Sequence, residues 1–415
     1  MTDEAQLRRY AELVVRTGLN LQPGQPLIIG RESRFVLPDH AGFARLLVEA
    51  AYAAGAGYVE VLYGDEWWMR QTVLHGDAEL YRLRCEAWVR WAEQLAGRGA
   101  AFLSIAAADP DLFRGVDGDR VALAQRAASE PFRRLAERLA SHELAWTVIA
   151  APTQAWAGKV HPHLPAAQRV AALWEDILSC SRAAGADPVA EWAAHREALR
   201  RRRAWLEGLR LRELHYEAPG TDLWVGLPDG HRWGGGESAT GSGVRFVPNI
   251  PTEEVFSAPH RLEVGGVVGS TLPLNHGGTL IEGMRLRFEA GRIVEYSAAS
   301  GQDALRHVIE TDDGSHRLGE VALVPVDSPI ARRGTLFYNT LFDENASCHL
   351  AIGRAYPMID GGSTLEHAAW AEHGLNDSLV HVDFMIGSPQ MAITGLTRDG
   401  ATVPILRAGR WAVEV

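Results

Sequence analysis

The spacing of apolar residues changes close to residue 210, and this change constrains the possible folds strongly. Before it, short apolar runs at 26–30, 58–63, 101–106 and 146–150 alternate with segments of helical periodicity. An alternation of strands and helices is typical of an α/β layer built on a mainly parallel sheet. We therefore predict an N-terminal α/β domain over residues 1–210.

Beyond residue 210, glycine becomes frequent and the apolar period shifts to two. Apolar residues and arginines alternate in 280–288, and an EAG turn leads to a second short run at 292–296, which predicts a hairpin. Residues 222–227, a PDG turn and the HRWGGG run at 231–236 predict another hairpin. We predict that 211–415 form a β-rich, α+β domain with a curved antiparallel sheet or a barrel.

Composition narrows the classes of function. A length of 415 residues favours two domains, and a net charge of −11 argues against a nucleic-acid-binding face. Three widely spaced cysteines give neither a disulfide framework nor a thiolate zinc site. With no apolar signal core and no run of about 18 apolar residues, we expect no membrane partner and a cytoplasmic location. No G-x-G-x-x-G or P-loop motif supports nucleotide binding.

The strongest chemical motif is His381-Val382-Asp383, inside the apolar run 379–386. This run predicts a strand, and residues i and i+2 of a strand point to the same face. The imidazole of His381 and the carboxylate of Asp383 then project together, which suits one divalent cation or two side by side. The alternative is that both are ordinary polar residues on a half-exposed strand.

Further oxygen ligands are available in the same half of the chain. Glu253 and Glu254 follow Pro251, which favours a bend that lets both carboxylates reach one site, although a surface loop or a first helical turn also fits. Glu320 precedes an apolar strand. A candidate set without thiolates results, and it comprises Glu254, Glu320, His349, His381 and Asp383. Zinc, cobalt, manganese or magnesium suit such a set, which is large enough for two ions.

Three motifs carry a resemblance to a known family: PNIPTEEVFSAP at 248–259, LFDENASCHLAIGRAYP at 341–357 and GLNDSLVHVDFMIGS at 374–388. Supporting similarity comes from YAELVVRTGLNLQPGQPL near the start and DPDLFRGVD at 109–117. The chain resembles the aminopeptidase T and aminopeptidase S family of dinuclear metallo-aminopeptidases, nearly from end to end. This resemblance implies an N-terminal α/β domain, a β-rich catalytic domain and a homodimer.

The same resemblance implies roles for individual residues. Two metal ions, Zn²⁺ or Co²⁺ with Mg²⁺ or Mn²⁺ also possible, are then held by Glu254, Glu320, His349, His381 and Asp383. Tyr356 lies at the same site, either as a metal ligand or as a hydrogen-bond donor to the oxyanion of the reaction. Glu253 is the candidate general base, by analogy with the Glu-Glu pair of unrelated two-zinc aminopeptidases. The substrates implied are peptides with a free N-terminus.

Two other functions remain open at this stage. One is a different metal-dependent amide hydrolase on the same scaffold, with its specificity changed by the substrate pocket. The other is a non-catalytic metal-binding protein. The complete ligand set argues against the second, and the chemical requirement for a free amine separates the first from an aminopeptidase.

Overall fold

The computed structural model describes residues 3–32, 34–107, 109–276 and 279–415. In chain order its helices are α1 (Glu4–Leu13), α2 (Ala41–Ala53), α3 (Glu66–His75), α4 (Ala78–Ala96), α5 (Gly118–Ala140), α6 (Gln154–Val160), α7 (Ala166–Cys180), α8 (Pro188–Leu209), α9 (Gln302–Ile309) and α10 (Thr340–Asp343). Its strands are β1 (Pro26–Ile29), β2 (Tyr58–Val61), β3 (Ala101–Ile105), β4 (Trp146–Ile149), β5 (Leu211–Ala218), β6 (Thr221–Gly226), β7 (Ser238–Ala239), β8 (Arg245–Phe246), β9 (Val255–Ser257), β10 (Val264–Gly269), β11 (Leu274–His276), β12 (Thr279–Ile281), β13 (Arg285–Glu289), β14 (Arg292–Ser297), β15 (Leu318–Leu323), β16 (His349–Gly353), β17 (His381–Met385), β18 (Ala392–Thr397), β19 (Thr402–Arg407) and β20 (Arg410–Trp411).

Contacts within the chain divide it into two compact units. The first is Met1–Ala194 with Glu237–Pro251, and the second is His195–Gly236 with Thr252–Val415. The division falls inside α8. The predicted domains at 1–210 and 211–415 differ from these units by the second part of α8 and by the 237–251 segment. The two predicted domains therefore remain a prediction about which parts of the chain fold independently.

The first unit is built on a parallel sheet with the strand order β2-β1-β3-β4. Every residue of the central strand β1 is buried, as expected when helices cover a parallel sheet. Helices α4 and α5 cover part of it through Trp88 and Leu135, which pack in one cluster with Ile28. Helix α4 begins where the Asp77 carboxylate accepts hydrogen bonds from two backbone amides of its first turn. The predicted α/β sheet is confirmed.

The second unit contains a large antiparallel sheet with the order β14-β13-β10-β6-β5-β18-β19-β20. Strands β13 and β14 form the hairpin predicted at 280–296. The other predicted hairpin is wrong, because β6 pairs with the preceding strand β5 and with β10 instead of with residues 231–236. Strand β5 starts two residues after α8 ends. The sequence prediction missed this strand because its buried apolar residues, which include Leu214 and Tyr216, directly follow a charged helical pattern.

A smaller antiparallel sheet of the second unit has the order β17-β16-β15-β9. All residues of its central strands β15 and β16 are buried. Alternate side chains, such as Val321 and Leu350, enter the main hydrophobic core of this unit together with Phe384. Because side chains alternate along a strand, the remaining positions face the other side of the sheet. The candidate ligands lie at those positions.

The three cysteines of the chain all lie within the described ranges. Cys85, Cys180 and Cys348 are all buried and free. The thiol of Cys348 donates to the Val324 carbonyl at 3.2 Å, as suits a small buried residue. Among the helices of the described ranges, none combines the length and the apolar character needed to cross a bilayer.

Candidate metal centre

The small sheet gathers the five candidate ligands on one face. His381 and Asp383 lie on β17, His349 begins β16, Glu320 lies on β15, and Glu254 directly precedes β9. In the strand register, Ala351 stands opposite both Glu320 and Asp383. Neighbouring strands are about 4.8 Å apart, so the small methyl group of Ala351 leaves space into which two carboxylates can extend. The backbone register thus brings together residues that are more than a hundred positions apart in sequence.

The ligand atoms form two adjoining groups that share Glu320. Glu254, Glu320 and His349 offer one group, and Glu320, His381 and Asp383 offer the other. His349 Nε2 lies 3.0 Å from Glu254 Oε2 and 3.5 Å from Glu320 Oε1. His381 Nε2 lies 3.8 Å from Glu320 Oε2 and 3.4 Å from Asp383 Oδ1. The two oxygens of Glu320 therefore face different histidines, as in a carboxylate that bridges two cations.

Both histidines are fixed in the same tautomer. Nδ1 of His349 donates to the carbonyls of Glu344 at 2.9 Å and Ser347 at 3.1 Å. Nδ1 of His381 donates to the carbonyl of Arg354 at 2.7 Å. These bonds leave Nε2 of each ring directed at the carboxylates. A backbone acceptor on the second nitrogen is the usual support of a metal-binding imidazole.

Asp383 provides a direct check of whether a cation fits this site. Its Oδ1 atom is buried and accepts no well-formed hydrogen bond from the described residues, although His381 Nε2 lies 3.4 Å away. A buried carboxylate oxygen without a partner is energetically costly, and a bound cation would remove that cost. The oxygen and imidazole donors of both groups also suit a divalent ion. The residues present therefore fit a metal.

The carboxylates of the site strongly favour positive charge on the groups beside them. Burial opposes the charged form of His349, yet its hydrogen bonds to Glu254 and Glu320 outweigh burial and raise its pKa well above the usual value. Burial opposes the charged form of His381 as well, but Asp383 and Glu320 raise its pKa to about 10. The imidazolium of His381 in turn outweighs burial at Asp383 and lowers the pKa of that carboxyl. Protons on the histidines thus supply the charge that a cation would otherwise supply.

Glu344 interacts electrostatically with the same cluster, and the sequence reasoning did not single it out. Burial, followed by the nearby charges of Asp383 and Glu254, raises the pKa of Glu344 well above its usual value. The residue begins a short 3₁₀ turn, Glu344–Ala346, just before β16. Its position five residues before His349, within one of the three family-like motifs, was the available signal. Strand periodicity gives no direction for a side chain in a turn, so this signal was weak.

Tyr356 lies beside the second ligand group. Its ring packs edge-on against His381, with the ring centroids 5.2 Å apart. Burial, and then the negative charges of Glu320 and Asp383, raise the pKa of the Tyr356 hydroxyl. The phenol therefore stays protonated at neutral pH and is able to donate a hydrogen bond.

Glu253 is buried, but it belongs to neither ligand group. Its backbone amide donates to Asn345 Oδ1 at 2.7 Å. Its Oε2 atom lies 3.9 Å from Nε2 of His195, which itself donates to the Thr252 carbonyl at 2.8 Å. The two adjacent glutamates therefore have different surroundings: Glu254 contacts His349, whereas Glu253 faces His195.

The chain is similar over nearly its whole length to several aminopeptidases. The chain is 44% identical over 413 residues to Aminopeptidase 2 of Geobacillus stearothermophilus, covering 99% of both chains. It is 44% identical over 409 residues to Aminopeptidase T of Thermus thermophilus, covering 98% of both. The solved structure of wild-type AmpT from Thermus thermophilus matches with a TM-score of 0.90 and 42% identity, over 99% of this chain and 100% of that one.

Taken with the ligand clusters, these likenesses define the protein as a metal-dependent aminopeptidase. The family model of the Thermophilic metalloprotease (M29) matches residues 3–411. The chain belongs to that family. The family resemblance and the enzyme class indicated by the sequence motifs are both confirmed.

The raised pKa of His381 leads to a test of metal loading. With a pKa of about 10, His381 is protonated at about pH 8, and its proton must leave before Nε2 binds a metal. We expect Co²⁺ binding to release protons and to strengthen as the pH rises from about 6 to about 8, a range in which Co²⁺ stays dissolved. Calorimetric titration in buffers of different ionisation enthalpy counts the protons.

The variant His381→Asn should release about one proton fewer per chain at saturating Co²⁺. His231→Asn is the matched control, because burial lowers the pKa of His231 and this residue is already neutral at that pH. Proton release that is the same in the wild type and in His381→Asn would contradict the assignment of His381.

Proposed function

We propose that this enzyme removes N-terminal residues from peptides at the small sheet, with two divalent ions bound side by side. One observation carries the proposal: the two oxygens of Glu320 face different histidines, His349 and His381. The residues that would hold the ions are Glu254, Glu320, His349, His381 and Asp383, and we add Glu344 because its carboxyl interacts with those of this set. Zn²⁺ or Co²⁺ is the expected metal, and Mg²⁺ or Mn²⁺ also suits the donors.

Bound divalent ions of this kind make hydroxide available at neutral pH and polarise a carbonyl oxygen. Side chains of the protein carry out the proton transfer and stabilise the oxyanion. Glu253 is the proposed general base, which takes the proton of the attacking water and passes it to the leaving amine. Its separation from the ligand groups and its anchored backbone support this role.

Tyr356 is the proposed donor to the oxyanion. Its protonated phenol lies beside His381, where negative charge develops on the former carbonyl oxygen of the substrate. Removing one such donor typically slows catalysis by about 10²–10³-fold. Only the hydroxyl of Tyr356 can donate to the oxyanion. The aromatic ring alone would pack against the imidazole of His381 without stabilising the oxyanion.

The proposed specificity is for substrates with a free amine, because the nitrogen of an α-amine has a lone pair that a divalent ion held by Glu320 and Asp383 would bind. The nitrogen of an N-acetylated peptide belongs to an amide and offers no such lone pair. We also propose a homodimer, which rests on the family resemblance alone, and a cytoplasmic location, which the three free cysteines favour.

The substrate assay compares a free aminoacyl anilide with its N-acetylated form. We expect hydrolysis of the free-amine substrate, its loss after chelation, and its recovery with Zn²⁺ or Co²⁺, while the acetylated form stays intact. Equal hydrolysis of both forms would favour the other candidate, a general metal-dependent amide hydrolase. Full turnover by metal-free protein would contradict the proposal altogether.

The different surroundings of the adjacent glutamates lead to a second test. Glu254→Gln should lose bound metal together with activity, because Glu254 Oε2 lies 3.0 Å from His349 Nε2. Glu253→Gln should keep its metal and lose about 10²–10⁴-fold in kcat, the range for general base catalysis. Metal analysis and steady-state kinetics measure both properties.

Glu282→Gln serves as the control for replacing a glutamate, since Glu282 is exposed and lies in neither ligand group. It should retain metal content and turnover. If Glu253→Gln releases metal while Glu254→Gln retains it, the two roles are exchanged. Unchanged metal and activity in both variants would remove the pair from the site.

A further inference from the structure

The side chain of Asn345 connects two carboxylate-bearing segments of the site that lie far apart in sequence. Asn345 is fully buried, with 0% of its surface exposed. Its Oδ1 atom accepts the backbone amide of Glu253 at 2.7 Å, across 92 positions of the chain. Its Nδ2 atom donates to the Leu341 carbonyl at 3.1 Å and to Glu344 Oε1 at 3.3 Å.

These partners leave one orientation for the amide of Asn345. The N–H group of Glu253 requires an acceptor, and the Leu341 carbonyl requires a donor, so Oδ1 and Nδ2 cannot exchange places. The NH₂ group is then directed at the carboxylate of Glu344. An aspartate offers the acceptor without the donors, and a leucine offers neither. Asparagine therefore meets both requirements at this position.

The segment that carries Glu253 and Glu254 depends on such side-chain bonds. Residues 252–254 precede β9 and do not belong to a strand themselves. Asn345 holds the segment at the Glu253 amide, and His195 holds it at the Thr252 carbonyl. The backbone that positions Glu254 is therefore anchored next to the turn that carries Glu344.

Glu344 has its own need for an anchor. It is half-buried beside other acids, which repel its charged form. The donor from Asn345 offsets part of that repulsion and holds Oε1 in place. The preceding residue is fixed as well, because the Asp343 carboxylate accepts the amides of Phe337 and Asn339.

We propose that Asn345 is a positioning residue that fixes the Glu254 and Glu344 carboxylates relative to each other in a metal-binding arrangement. This role rests on the proposed function of the site. Outer-shell partners of metal ligands typically contribute 10–100-fold to metal affinity. The two bonds of the amide have separable effects: the Nδ2 donor acts on Glu344, and the Oδ1 acceptor acts on the Glu253 segment.

The test measures Co²⁺ affinity by competition with a chromogenic chelator, together with kcat and the melting temperature. Asn345→Asp keeps the acceptor and replaces the donor with a charged oxygen that repels the Glu344 carboxylate, so Co²⁺ affinity should fall by about 10–100-fold while kcat at saturating Co²⁺ largely recovers. Asn345→Leu loses both bonds. Its affinity should fall similarly, and its kcat should stay low because the Glu253 amide is no longer held.

Asn20→Asp is the control for the substitution itself. Asn20 lies in the other compact unit, and its Nδ2 donates to the Arg245 carbonyl at 2.8 Å rather than to a carboxylate. This variant should lower the melting temperature without changing Co²⁺ affinity. An equal loss of affinity in the control would reduce Asn345 to a structural residue and overturn the proposal.

A double-mutant cycle with Glu344→Gln tests whether Asn345 acts through Glu344. If it does, adding Asn345→Asp to Glu344→Gln should weaken Co²⁺ binding no further. Additive losses, or wild-type affinity in Asn345→Asp, would overturn the proposal. Since Co²⁺ binding needs no turnover, a wild type that binds Co²⁺ but cleaves no aminoacyl anilide refutes only the proposed function. A wild type that does not bind Co²⁺ refutes both.

Discussion

Repulsion among closely spaced carboxylates is the interaction that most constrains the second unit of this molecule. Glu254, Glu320, Glu344 and Asp383 interact with one another in a region from which water is largely excluded. Like charges in such surroundings are costly unless positive charge offsets them. The two histidines offset part of this charge when they are protonated, as their raised pKa values indicate. A cation can take the place of those protons, so the binding of metal and the stability of the site are linked.

The small sheet tolerates this repulsion because its other face is an ordinary apolar core. Strands β15 and β16 are buried throughout, and Val321, Leu350 and Phe384 fix their register from the core side. A slip of one residue in β17 would turn the side chains of His381 and Asp383 into that core. Gly353 also holds the register: its φ of 104° is rare for other residues, and a Cβ atom there would lie 2.1 Å from the Val380 carbonyl oxygen. The core thus maintains the geometry of a site that is itself unfavourable.

Sequence periodicity predicted the features that depend on local pattern. The parallel sheet, the β13–β14 hairpin and the shared face of His381 and Asp383 all follow from residue spacing. The partner of β6 could not be predicted in this way, because strand pairing depends on the apolar face of β5, directly behind a charged helix. Asn345 could not be predicted either, since its role is defined by a contact with Glu253 across 92 positions.

The central claim is that two cations share the Glu320 carboxylate, and locating the cations tests it most directly. Crystals grown with Zn²⁺ would be measured at wavelengths on both sides of the zinc absorption edge. The account expects two anomalous peaks, each about 2.0–2.2 Å from one Glu320 oxygen, with His349 at one peak and His381 at the other. A single peak, or two peaks that do not share Glu320, would contradict it.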